Sequence, residues 1–270
     1  MIKARKRFGQ HFLEPAWIEK VVRAIDPKAD EDFYEIGPGL GALTRPLAAR
    51  ARSLVAFEID RDLTAELQRT APPNVTVVPG DFLQSSWIAD HPSAGPVRVA
   101  GNLPYNVAAP ILFKLVDLYG AGAPFTDATV MLQREVADRL IAKPGTREYG
   151  VLPILIGHSA DITRVLTLPP GAFRPAPQVH SALVRLRFHA PALAVPSVTD
   201  FRALVQAIFT RRRKTLTNAL LAYAGSAQVP PRVALEAAGL DGRRRPETLT
   251  LAEIAQLCYS FAVSRSSRPV

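Results

Sequence analysis

From Phe33 onward, short runs rich in β-branched and aromatic residues alternate with segments whose apolar positions recur every three to four residues. The strand-like runs are F-Y-E-I at 33–36, S-L-V-A-F-E-I at 53–59, V-T-V-V at 75–78, V-R-V-A at 97–100 and A-T-V-M-L-Q at 128–133. Helical spacing marks Ala42–Ala51, Arg61–Thr70, Ala108–Tyr119 and Glu135–Lys143 between them. Such alternation predicts a parallel sheet with crossover helices on its faces, a doubly wound α/β domain.

Another helical run follows Tyr149. Two more strand-like runs, D-I-T-R-V-L-T-L at 161–168 and H-S-A-L-V-R-L-R-F at 180–188, then lie close enough in sequence to form an antiparallel pair that closes the sheet. The stretch 189–200, with Pro191 and Pro196, reads as a linker, and beyond it the pattern is helical only. Two domains are therefore expected, 1–190 and 191–270. Thr250-Leu251-Ala252-Glu253 ahead of an apolar run is a capping box and predicts where the last helix starts.

Composition narrows the class. A chain of 270 residues, 48% hydrophobic, can bury a full core. Cys258 is the only cysteine, so neither an intramolecular disulfide nor a cysteine-built metal site can form, and a reducing compartment fits. No apolar stretch of roughly 18 residues is present, and the basic N-terminus lacks a following apolar signal core. A cytoplasmic protein without a membrane anchor is expected. The formal charge is +9 and is concentrated in Lys3–Arg7, in Arg211, Arg212, Arg213 and Lys214, and in Arg243–Arg245. From Val195 onward eleven basic residues face five acids. Clustered arginine points to a polyanionic partner.

The first strand run ends in Glu35-Ile36-Gly37-Pro38-Gly39-Leu40-Gly41 and leads into a helix. Glycines at such a turn let the backbone bend sharply and approach a ligand closely. A dinucleotide enzyme would carry G-x-G-x-x-G, whereas here the third glycine comes one residue early and an acid precedes the first. Glu35 favours a positively charged ligand over a pyrophosphate. Glu58 follows Gly37 by 21 residues, the place for a carboxylate that grips ribose hydroxyls. Asp81 ends the third strand run. Three strand-end acids with E-x-G-x-G match an S-adenosylmethionine site: Glu58 for the ribose, Asp81 for the adenine amino group, and the glycine turn beside the methionine part. An NAD site is the alternative.

The fourth strand run delivers Asn102-Leu103-Pro104-Tyr105 to the same sheet edge, facing the cofactor crevice. This resembles the (N/D/S)-P-P-(Y/F/W) signature of methyltransferases that modify exocyclic amino groups, in an N-L-P-Y form. An adenine N6 lone pair is delocalised into the ring, so a site that methylates it must accept its hydrogens and favour a tetrahedral nitrogen. The Asn102 side-chain oxygen and the Pro104 carbonyl are the candidate acceptors. Tyr105 is the candidate platform for an extruded base, a contact of roughly 1–3 kcal/mol. A strand-to-helix turn, with Asn102 as cap and Pro104 in the first turn, is the plainer account of two of these residues. It leaves Tyr105 unexplained.

These motifs, taken with K-R-F-G-Q-H-F-L at 6–13, L-Q-R-E-V-A-D-R-L at 132–140, P-P-G-A-F-R-P-A-P-Q-V-H-S-A-L-V-R-L at 169–186 and A-I-F-T-R-R-R-K-T-L-T-N-A-L at 207–220, resemble the KsgA family of 16S rRNA adenine dimethyltransferases over nearly the whole chain. The resemblance implies a class I S-adenosylmethionine-dependent methyltransferase fold, Rossmann-like, its mostly parallel sheet carrying an antiparallel C-terminal strand, plus a small all-α C-terminal domain. It implies that His11 and Leu13 close over the cofactor, with Gly37, Glu58, Asp81 and Asn102 as further contacts. It also implies that Phe173 packs on the target base opposite Tyr105, and that Arg211, Arg212, Arg213 and Lys214 bind RNA phosphates. His11 stands where the family more usually has asparagine, and His180 where it usually has aspartate.

The activity implied is transfer of two methyls to N6 of each of two adjacent adenosines in the 3′-terminal hairpin of 16S rRNA, within the pre-30S subunit, by a monomer that needs no metal. Two alternatives stay open: a 23S rRNA adenine N6-methyltransferase, and a non-catalytic nucleic-acid-binding assembly factor on the same fold.

Overall fold

A computed structural model describes residues 11–266, apart from 92, 94 and 192, with side chains to Ser264. The basic run Lys3–Arg7 and the first five residues of K-R-F-G-Q-H-F-L lie outside the described residues. Nine strands are present among the described residues: β1 Phe12–Leu13, β2 Asp32–Ile36, β3 Ser53–Glu58, β4 Val75–Pro79, β5 Val97–Asn102, β6 Phe125–Gln133, β7 Ala160–Leu168, β8 Phe173–Arg174 and β9 Ser181–Phe188. Seven form one sheet in the order β4-β3-β2-β5-β6-β9-β7, and β1 pairs with β8 in a separate two-stranded sheet.

The pairs β4–β3, β3–β2, β2–β5 and β5–β6 are parallel. β9 inserts antiparallel between β6 and β7. All seven predicted strands exist, and the two late ones do pair antiparallel. β3, β2 and β5 run through the middle of the sheet, where both faces are covered. In β2 and β5 near-continuous burial therefore replaces strict alternation.

Helix boundaries follow local chemistry. Arg61–Thr70 begins where expected because the Asp60 carboxylate accepts from the backbone N–H of Asp62. The predicted helix 42–51 is a correction: only Thr44–Ala48 is helical, since the glycine turn occupies the residues before it. The elements not legible in the sequence include β1 and β8, which pair, and the helices Pro15–Ile25 and Trp87–Asp90. The helix Pro15–Ile25 starts with proline at its first position and buries Val21, Val22 and Ile25 at helical spacing. Its end is held by two arginines from the sheet. Arg98 donates to the carbonyls of Ile25 (2.7 Å) and Asp26 (3.0 Å), and Arg185 to that of Ala24 (2.7 Å). Arg98 is itself only 8% exposed and is compensated by Asp127 and Glu31, both at 2.7 Å. The anchored helix fixes the residues just before it, His11–Leu13, at the sheet edge described below.

The chain forms two compact units: residues 1–137 with 160–189, and residues 138–159 with 190–270. It passes from one to the other at 189/190, inside the predicted linker, and also enters the second unit early, at 138–159. In the first unit Val22, Phe33, Leu47, Leu54, Met131 and Leu183 are part of one apolar cluster. The second unit contains the helices Val151–Gly157, Val198–Thr210, Leu216–Leu220, Pro231–Ala237 and Leu251–Ser266. The last helix starts with the predicted capping box: the Thr250 hydroxyl accepts from the Glu253 N–H, and the Glu253 carboxylate from the Thr250 N–H (2.7 Å). No helix among the described residues is long and apolar enough to cross a membrane.

Candidate active site

The loops that leave the carboxyl ends of β2, β3, β4 and β5 enclose a cavity of about 330 Å³, where an open α/β sheet holds its ligands. Gly37, Glu58, Asp81, Asn102, Pro104 and Tyr105 all line it, as do His11 and Leu13. The glycine turn is a backbone necessity. Gly37 sits at φ +70°, a region that L side chains rarely adopt, and a Cβ added there would meet the Asn102 carbonyl at 3.6 Å. Gly101, inside β5, is required for a different reason: a Cβ there would lie 2.5 Å from the Ile36 carbonyl oxygen. β2 and β5 can therefore approach closely just where both chains turn into the cavity.

The acids divide the work. Glu58 is 4% exposed; its two carboxylate oxygens accept from the backbone N–H groups of Gly39 and Asp60, each at 2.9 Å. It thereby holds the glycine turn in shape, and each oxygen keeps a second lone pair for a ligand hydroxyl. Burial raises its pKa against the pull of those two N–H bonds. Glu35 is 1% exposed, and its Oε2 has no hydrogen-bond partner among the described residues. Burial pushes its pKa up to about 8, with the Thr44 hydroxyl opposing the rise and the Glu58 charge adding to it. Glu35 thus places a buried carboxyl with an unpartnered oxygen among the residues that line the cavity. Asp81 accepts from the Leu83 N–H at 2.9 Å and lines the cavity with lone pairs left for a ligand donor.

The N-L-P-Y loop is not a capped helix start. The next helix, Ala108–Gly120, begins six residues after Asn102, its N-cap is Val107, and no side chain caps it. Asn102 instead donates from Nδ2 to the His11 carbonyl at 2.7 Å. Because that partner is an acceptor, the amide is oriented with Oδ1 as the acceptor available to a substrate. The Pro104 carbonyl accepts from the Val107 N–H at 3.1 Å and has a second lone pair left. Tyr105 is half-buried, and burial raises its pKa. Its hydroxyl meets the Ser181 hydroxyl at 2.8 Å, and its ring stacks on His11 with centroids 5.2 Å apart. His11 thus covers one face of the Tyr105 ring and is pinned in turn by Nδ1 against the Pro175 carbonyl at 2.6 Å.

Phe173 is a correction. It is 1% exposed, lies in the apolar cluster opposite Leu13 in the β1–β8 pair, and does not line the cavity. In this arrangement it offers no face to a base. Ser181, the anchor of the Tyr105 hydroxyl, was not singled out from sequence, although its position in the P-x-P-Q-V-H-S stretch was an available signal. In the second unit Arg211, Arg213 and Lys214 are exposed in the turn after Val198–Thr210, while Arg212 donates to the Arg147 carbonyl at 2.9 Å. Among the described residues no group of three or more His, Cys, Asp or Glu is placed to hold a metal ion.

A family model described as ribosomal RNA adenine dimethylase matches residues 1–257. The chain is 41% identical over 272 residues to "Ribosomal RNA small subunit methyltransferase A" of Aromatoleum aromaticum, covering 98% of this chain and 97% of that protein. It is 40% identical to the protein of the same name from Acinetobacter baylyi, covering 94% and 91%. Among solved structures it is similar to a dimethyladenosine transferase from Plasmodium falciparum, with TM-score 0.76, 24% identity and coverage of 94% and 98%. It is also similar to the 23S rRNA methyltransferase ErmE, with TM-score 0.63, 27% identity and coverage of 93% and 99%. The fold is that of the class I methyltransferases.

Proposed function

This chain belongs to the ribosomal RNA adenine dimethylase family, and from that premise we propose that it transfers methyl groups from S-adenosylmethionine to N6 of two adjacent adenosines in the 3′-terminal hairpin of 16S rRNA, giving N6,N6-dimethyladenosines during assembly of the small subunit. The observation that carries the reading is the convergence, in one cavity, of an oriented amide oxygen on Asn102, the Tyr105 ring, and the buried acids Glu35 and Glu58. Small-subunit relatives at about 40% identity over most of their length favour 16S rRNA over 23S rRNA, for which the ErmE likeness stands at 27%.

The residues present fit a cationic, ribose-bearing methyl donor. Glu35, buried with one oxygen unpartnered, complements its positive charge, Glu58 its ribose hydroxyls, and Asp81 its adenine amino group. The donor, when bound, supplies an electrophilic methyl group on a sulfonium. Everything else falls to the chain. Asn102 Oδ1 and the Pro104 carbonyl accept the amino hydrogens of the target adenine, which withdraws the nitrogen lone pair from conjugation and makes it available. Tyr105, held by Ser181 and backed by His11, stacks its open face on the extruded base. No strong base is needed, because the ammonium formed by methylation loses its proton readily. Intact Asn102, Pro104 and Tyr105 speak against a purely non-catalytic assembly factor.

The chain acts in the cytoplasm, as a monomer, on rRNA within the pre-30S particle. Labelled methyl transfer to undermethylated small subunits, followed by nucleoside analysis, is expected to give dimethyladenosine in 16S rRNA; label only in 23S rRNA, or in neither, sinks the reading. Arg211, Arg213 and Lys214 contact phosphates in this account, so Arg213→Ala is expected to flatten the dependence of log K on log salt by about one unit of slope. An unchanged slope in a salt titration of small-subunit binding would remove Arg213 from the interface.

A further inference from the structure

Lys114 lies on the helix Ala108–Gly120, the first helix after the N-L-P-Y loop, where an ordinary lysine would hold its ammonium in water. Instead its Nζ donates to three backbone carbonyls of the loop that follows β4: Phe82 at 2.6 Å, Leu83 at 2.9 Å and Ser85 at 2.8 Å. An ammonium has three N–H donors, and here all three are used on one turn. That turn is the one that presents Asp81. It is closed from within by the Gln84 and Ser85 N–H groups on the Asp81 carbonyl (both 3.0 Å) and by the Leu83 N–H on the Asp81 carboxylate. The next carbonyls along the turn converge on Lys114 from outside. The ammonium also sits 5.3 Å from the centre of the Phe82 ring, a cavity-lining side chain that packs edge-on against Phe57 at 5.3 Å. Burial lowers the Lys114 pKa, and the nearby Asp81 charge opposes that fall.

We propose that Lys114 is a positioning residue for the methyl-donor site: it ties the Asp81 turn to the helix behind the N-L-P-Y loop and so holds the adenine-reading carboxylate in register with the N-L-P-Y groups that receive the target base. The proposal rests on the reading of this cavity as an S-adenosylmethionine site. Leucine or methionine at position 114 would pack as well on Phe82 but would leave the Leu83 and Ser85 carbonyls without a donor and the Phe82 carbonyl with only its 3.3 Å bond from the Ser85 N–H, and arginine could not converge its planar fork on all three.

The test uses the full chain and S-adenosylhomocysteine as the calorimetric probe. Lys114→Met is expected to weaken its binding about tenfold, raise KM for the donor by a similar factor, and leave kcat at saturating donor within about twofold. Lys114→Gln, which keeps a polar head and secures the measurement if the methionine variant folds poorly, is expected to show the same split at lower amplitude. Because Lys114 acts through Asp81, the double variant Asp81→Ala/Lys114→Met should bind no more than about twofold more weakly than Asp81→Ala alone. Fully multiplicative losses in the double variant, or a fall in kcat with KM unchanged, would make Lys114 a merely structural residue and overturn the proposal. Unaltered binding by both Lys114 variants overturns it too. Failure of the unmodified chain to bind S-adenosylhomocysteine would instead overturn the underlying reading of the cavity.

Discussion

Asn102→Ala is expected to lower kcat for methyl transfer by about 10²- to 10³-fold, the loss typical of removing one oriented polar group from a preorganised site. Two deficits combine. The acceptor for an amino hydrogen of the target base disappears, and so does the 2.7 Å bond that fixes the His11 carbonyl and, through it, the ring that backs Tyr105. Donor affinity should fall less than kcat, because Glu58 and the glycine turn hold each other and stay in place when Asn102 and its bond to the His11 carbonyl are lost. The measurement is single-turnover transfer at saturating donor and rRNA, on protein whose unfolding midpoint matches that of the unmodified chain. Turnover within a few-fold of normal would show that Asn102 does not activate the nitrogen.

Glu35→Gln is expected to stabilise the empty protein and to damage donor binding. The folded-state pKa of Glu35, about 8, lies above its unfolded value near 4.5, because burial opposes ionisation. Between those values the folded chain holds a proton that the unfolded chain has released, so stability declines as pH rises from about 5 and levels off once the folded carboxyl also ionises near pH 8. Glutamine removes that dependence. The advantage of the variant in unfolding free energy should grow by roughly 1.4 kcal/mol per pH unit across this window, read by denaturant melts at about pH 5, 6.5 and 8. Donor binding should show the opposite trend: a cation favours the ionised carboxyl, so affinity of the unmodified chain rises with pH up to about 8, and the variant loses this rise. A variant whose pH profiles overlay those of the unmodified chain in both measurements would deny Glu35 its role. Stability surrendered at a ligand site is a common cost of function.

The site was legible in the sequence through local signals. Strand-end acids, an early third glycine and a polar-proline-aromatic triplet are visible because each belongs to a loop that leaves one strand, and a parallel sheet brings all such loops to one edge. Glu58 and Asn102 could thus be placed by counting along the chain, without knowing strand order. Phe173 was assigned to the target base through the family resemblance, whereas here the residue is drawn inward by pairing of β8 with β1, a two-residue strand too short to announce itself. Lys114 was invisible for a related reason: on a helical face a lysine reads as solvated, and only the turn after β4 changes that.

By itself, the sequence determined the seven strands of the main sheet, the helical character of the chain's last part, the cofactor turn and the chemistry that N-L-P-Y can perform, since these follow from periodicity, backbone freedom and side-chain type within a few residues. Only the tertiary structure decided that β9 lies between β6 and β7, that Asn102 bonds to His11 across 91 residues, that Ser181 holds Tyr105 across 76, and that Glu35 is buried with an oxygen left unpartnered. Those pairings depend on strand order and on which long-range contacts the packed core leaves room for. A residue's chemical type is local; the groups it meets are set by the fold.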